Sequence, residues 1–194
     1  MNKKFTLVVN GKFHLFDVAA ELYKKGLLKR VISSMPYFIA KRYGIGREVY
    51  VGLPIFEVYK RVWRKVFRRE PSVNLYAFLF TKVSSFFVPK DTDVVIGLAG
   101  YSKEVFESTK LNRAIKILDR SSTHTLENIN LKTKAAQYHN INWAPHPSSF
   151  IERELDEYTL ADKILVPSGY VAKTFTKHGV NEDVLVKNPY AISK

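Results

Sequence analysis

Residues 5–26 read FTLVVNGKFHLFDVAAELYKKG, and their apolar period changes within one turn. Phe5 to Val9 is an unbroken apolar run, as expected of a strand buried on both faces. From Leu15 onward the apolar positions are Leu15, Val18, Ala19, Leu22 and Tyr23. That is the spacing of one helical face, and Gly26 stands where a helix C-cap belongs. A strand therefore feeds a helix through Asn10-Gly11-Lys12-Phe13-His14.

The same alternation recurs. Strand-like runs follow at Arg30 to Ser33, Glu48 to Val51, Asp93 to Gly97, Ala114 to Asp119, Lys163 to Pro167 and Val184 to Lys187. After the sixth run, Ser168 suits an N-cap, Val171, Ala172 and Phe175 have helical spacing, and Gly179 suits a C-cap. Continuous runs separated by helices imply an α/β protein with a doubly wound, mostly parallel Rossmann-like sheet of about seven strands. Residues 52–90 break the alternation, because two successive helices lie between the third and fourth strands. They read as a helical insertion in a single domain covering residues 1–194.

The composition, 46% apolar and 25% charged over 194 residues, is that of one globular domain. The sequence has no cysteine, which excludes disulfides, zinc-thiolate sites, iron-sulfur clusters and thiol catalysis, and fits a reducing, cytoplasmic setting. Phe5 to Val9 is too short for a signal-peptide core, and no stretch is long enough to span a bilayer, so any membrane association is expected to be peripheral. The formal charge is +13 and unevenly distributed. Residues 1–70 hold 16 Lys and Arg against 5 Asp and Glu, whereas residues 71–194 are nearly balanced. Such a field attracts anionic headgroups, phosphorylated substrates or nucleic acid.

Two strand tips gather polar groups. In a doubly wound sheet, ligands bind at the carboxyl ends of the strands, where a glycine lets backbone approach a phosphate. Gly11 and His14 follow the first strand. Arg120, Ser121 and His124 follow the fifth, directly after Asp119. If both tips flank the switch point, His14 and His124 face one cleft able to bind hydroxyls and phosphates. There is no Walker loop, no Gly-x-Gly-x-x-Gly, no His-Glu-x-x-His and no Gly-x-Ser-x-Gly, so dinucleotide and hydrolase readings lack support. His139, His146 and His178 match no zinc spacing, and no metal is expected.

Residues 54–69 carry the cleanest helical period. Ile55, Val58, Tyr59, Val62, Trp63, Val66 and Phe67 form one apolar stripe, while Lys60, Arg61, Arg64, Lys65, Arg68 and Arg69 cover the other side. Either the stripe packs on the sheet beneath a solvated cationic face, or the helix lies on a membrane with Trp63 and Phe67 as anchors. A non-catalytic module binding nucleic acid or anionic membrane is the alternative to an enzyme. Nucleic acid is disfavoured, because the aromatics lie opposite the cations instead of forming a shared stacking surface.

Beyond these readings, the sequence resembles the N-terminal domain of family-4 glycosyltransferases of the GT-B fold. The resemblance rests on Leu118 to His124, Glu152 to Tyr158, Ala161 to Ser168, Val171 to Phe175, Gly179-Val180 and Asn188-Pro189-Tyr190, with Gly11-x-x-His14 leading into the first helix. It implies transfer of a sugar from a nucleotide-sugar to an acceptor with retention, the acceptor being a lipid-linked or cell-surface polysaccharide precursor. By the resemblance His124 contacts the transferred sugar as the catalytic histidine, Gly11 lies beside the donor diphosphate, and His14, Arg120 and Ser121 line the cleft. The chain would be the acceptor-side half, working at the inner membrane face with a C-terminal donor domain that is its partner and lies outside these 194 residues. Alone it is expected to be inactive. The nucleotide-sugar is a substrate, and no resident cofactor is implied.

Overall fold

A computed structural model describes residues 3–189 of the chain. Seven strands form one parallel sheet: β1 (Phe5–Val9), β2 (Leu28–Ser33), β3 (Tyr50–Gly52), β4 (Val94–Leu98), β5 (Ile115–Asp119), β6 (Lys163–Val166) and β7 (Leu185–Lys187). Their order is β3-β2-β1-β4-β5-β6-β7. The chain winds outward from β1 to one edge, returns to β4 beside β1, and winds to the other edge. The switch point is therefore the β1/β4 boundary. Every residue of β4 and all but Phe5 of β1 is buried, which is why their sequences are continuous apolar runs.

The helices are α1 (Leu15–Lys24), α2 (Tyr37–Arg42), α3 (Ile55–Phe67), α4 (Val73–Phe87), α5 (Lys103–Phe106), α6 (Thr125–Tyr138), α7 (Ser148–Leu160) and α8 (Gly169–Lys177). Gly26 and Gly179 close α1 and α8 with positive φ, and the Ser168 hydroxyl caps α8 by accepting from the Val171 N–H. Successive side chains of a strand point to opposite faces, so Leu7 and Val9 join Leu15, Phe16 and Ala19 in a core under α1, while Val8 joins Phe56, Phe80, Phe106 and Phe175 in the core on the other face.

The two helices expected between residues 52 and 90 are α3 and α4, and the topology gives them a task. They carry the chain from the β3 edge back across β2 and β1 to β4. β3 starts two residues later than its apolar run, because Arg47–Val49 forms a short 3-10 turn. β2 starts two residues earlier, where Leu28 pairs with Phe5.

Candidate functional site at the switch point

The carboxyl ends of β1, β4 and β5 lie side by side at the switch point. After β1 the chain turns at Gly11, whose φ of +80° is a left-handed conformation that disfavours any side chain, and α1 begins immediately after His14. This places His14 above the tip of β1. Asp119 ends β5, paired in register with Leu98 of β4. The imidazole spans the intervening tip of β4, and its Nε2 lies 2.7 Å from Asp119 Oδ2. The Asp119 carboxylate, as hydrogen-bond partner and neighbouring charge, raises the His14 pKa above the ordinary histidine value, against the opposing effect of partial burial. Asp119 is almost wholly buried, whereas His14 keeps part of its ring accessible. A histidine oriented by a buried carboxylate, with part of its ring accessible at the switch point, has the arrangement of a general base.

On the β2 side a polar chain runs from the same turn. The Gly11 N–H donates to Ser34 Oγ at 2.8 Å, and the Ser34 hydroxyl donates to Glu57 Oε1 at 2.9 Å. Lys60 pairs with the same carboxylate at 2.9 Å and lies over the Tyr76 ring. Tyr76 in turn donates to Asn10 Oδ1 at 2.8 Å. Burial, and the nearby Glu57 charge, push the Tyr76 phenol far above its usual pKa, so it stays a donor. The Gly11 N–H is thus held by Ser34, not left pointing at a phosphate, and Asn10 and Ser34 are buried within this network while Glu57 stays partly accessible.

The other residues singled out from the sequence lie elsewhere. His124 is 2% exposed, packed against Tyr158, Phe175 and His178. Its Nδ1 caps α6 by accepting the Leu126 N–H at 3.3 Å. Burial, reinforced by the neighbouring His178 and Arg120, lowers its pKa to about 4. It is a neutral core residue with no accessible face for a sugar, so the strand tips do not bring His14 and His124 to one surface. Arg120 forms an ion pair with Glu154 of α7 and donates to the Thr123 carbonyl, which orients it along the wall of a cavity of about 290 Å³ between α6 and α7. Ser121 is exposed. Tyr190 lies outside the described residues.

Helix α3 does not pack its apolar stripe on the sheet. Phe56 is buried and Tyr59 and Trp63 are half-buried, but Ile55, Val58, Val62 and Val66 are 65%, 51%, 54% and 63% exposed. Trp63 packs at a tilt between Tyr59 and Phe67 with its indole N–H buried, so of the two expected anchors Phe67 is exposed and Trp63 half-buried. Lys60 and Arg64 are paired with Glu57 and Glu70, leaving Arg61, Lys65, Arg68 and Arg69 as the unpaired cations of this segment among the described residues.

Sequence reasoning missed Asp119, Ser34, Glu57 and Tyr76 as site residues. A signal existed for two of them: Asp119 is a carboxylate at a strand tip, and Glu57 is the one acidic residue of residues 54–69, which carry six cations. Among the described residues no cluster of three or more His, Asp or Glu is arranged to hold a metal ion, and no helix is long and apolar enough to cross a membrane.

No protein-family model and no curated protein matches the sequence. Solved structures do match in fold. One is a UDP-N-acetylglucosamine 2-epimerase, with a TM-score of 0.56 and 10% identity over 96% of this chain and 48% of that one. Another is a putative UDP-N-acetylglucosamine 2-epimerase from Listeria monocytogenes, with a TM-score of 0.59 and 8% identity over 95% of this chain and 44% of that one. The chain therefore spans a little under half of each neighbour, and at this identity the likeness is one of fold: a Rossmann-like domain of the kind found in these two proteins.

Proposed function

We propose that this chain is the acceptor-side domain of a two-domain enzyme that transfers a sugar from a nucleotide-sugar to a hydroxyl acceptor, with His14 as the acceptor's general base. The observation that carries this reading is the His14–Asp119 pair at the switch point. In the forward step the imidazole takes the proton of the acceptor hydroxyl, the oxygen bonds to the anomeric carbon, and the nucleotide diphosphate leaves. Asp119 stabilises the imidazolium that forms, and the partly accessible Glu57 carboxylate, held by Ser34 and Lys60, supplies a hydrogen-bond partner for a polar acceptor.

Charge developing on the diphosphate needs donors beyond those seen here, so the donor side falls to a second domain. The half-length match to the neighbouring folds supports this arrangement. We place the reaction in the cytoplasm, with a lipid-linked or cell-surface polysaccharide precursor as acceptor. The family resemblance implies retention, in which the leaving diphosphate takes the proton. A protein base activating the hydroxyl instead favours attack from the opposite face and inversion, and the dyad leads us to expect inversion.

The test is NMR of the product's anomeric configuration, made with the chain joined to its donor domain, beside turnover of the His14→Ala variant. An inverted product and a loss of about 10²- to 10⁴-fold in turnover are expected. Unchanged turnover in His14→Ala, or conversion of the nucleotide-sugar to its epimer without any acceptor, would remove the proposal.

A further inference from the structure

We propose that the α3–α4 hairpin is a docking surface for an anionic lipid bilayer. Two helices of 13 and 15 residues carry ten of the nineteen large apolar side chains that are exposed among the described residues. Ile55, Val58, Val62 and Val66 make one continuous row along α3, and Leu79 of α4 faces Ile55 beside it, whereas Leu75 and Phe78 turn toward α5 and α7. Between the helices is a cavity of about 200 Å³ lined by Ile55, Phe56, Tyr59, Tyr76 and Leu79. An exposed apolar patch of this extent marks an interaction surface.

Charge selects the occupant. Arg61 and Lys65 stand one turn from Val58 and Val62, beside the apolar row, and Arg68 and Arg69 follow at its end. Along α3 the surface is thus apolar at its centre and cationic at its edge, which matches acyl chains below anionic headgroups. A second copy of this chain is disfavoured, because a two-fold contact would bring the same cationic rim against itself in a molecule of net charge +13. Nucleic acid would meet the cations but leave the apolar row in water.

The test is co-sedimentation of the full chain with vesicles of mixed phosphatidylglycerol and phosphatidylcholine, and with vesicles of phosphatidylcholine alone. Binding to the anionic vesicles only is expected, weakened by salt and falling about fivefold for each cation reversed in the series Arg61→Glu, Lys65→Glu, Arg68→Glu and Arg69→Glu. Val62→Ser with Val66→Ser should also reduce binding while leaving the thermal midpoint in place, since both side chains are already exposed. Equal pelleting with both vesicle types or with neither overturns the proposal. So does full binding by both variants, or light scattering that shows a dimer dispersed by the valine changes. None of these outcomes depends on the transferase reading, because none measures turnover.

Discussion

Asp119 determines what His14 can do. Because the carboxylate lies 2.7 Å from the ring and raises its pKa, the base is fully active only above that raised value, and activity should fall as pH drops through it. Asp119→Asn removes the charge but keeps the shape, so the acid limb of the kcat/KM profile should move to lower pH while the plateau drops. A limb that stays in place would mean that another group titrates. His124 works in the opposite direction. Its ring is kept neutral by burial, with a folded pKa of about 4 against 6.5 in the unfolded chain. Its contribution to stability is therefore fully present above pH 6.5 and is lost as pH falls toward 4, on the order of 3 kcal/mol in all. Urea unfolding of wild type and His124→Asn should show a stability gap at pH 7.5 that narrows by roughly 2 kcal/mol at pH 4.5. A gap independent of pH would show that the ring is hydrated in the native state.

At the scale of elements, α7 shows how far a sequence pattern can mislead. Its charged run from Glu152 to Glu157 has the composition of a solvent face, yet Arg153, Glu154 and Glu157 point inward and are buried. Arg153 pairs with Glu104 of α5 and donates to the Gly100 carbonyl at 3.0 Å, and Glu154 holds Arg120. Glu157 accepts the backbone N–H groups of Gly100, Ser102 and Lys103, while burial pushes its carboxyl up to about 7. Periodicity cannot distinguish a charge facing water from one facing partners contributed by distant loops. The Rossmann alternation was legible because the central strands β1 and β4 are buried and apolar along almost their whole length, and each of the seven runs overlaps a strand. The outward turn of α3's apolar row was not legible, since a helical wheel shows that a face exists without showing what covers it. Arg153→Met should test the α7 clamp. It strands Glu104 in the interior and is expected to cost about 3–5 kcal/mol in urea unfolding, with Glu104→Leu recovering part of the loss when added to it. A loss below 1 kcal/mol would show that Glu104 reaches water without its partner.

For the whole molecule, the switch point that makes the cleft also joins the two halves of the chain. β1 pairs with β4 over Phe5 to Val8 and Val94 to Gly97, and this ladder links residues 5–52 to residues 94–187. Both cores cross the boundary. On one face Val8 and Ile32 pack in the same cluster as Leu118, Ile164 and Phe175, and on the other Leu7 and Val31 share a cluster with Val94 and Ile96. Neither half can therefore unfold without exposing apolar surface of the other, and unfolding should be a single cooperative transition. The two tryptophans report from separate places, Trp63 on the crossover helix α3 and Trp143 in the loop between α6 and α7. With Trp63→Phe or Trp143→Phe leaving one fluorophore each, urea titrations should give the same free energy from fluorescence as from far-UV circular dichroism within each variant. A Trp63 transition well ahead of the circular-dichroism change would instead show the α3–α4 hairpin detaching first, so that the docking surface and the sheet behave as separate units.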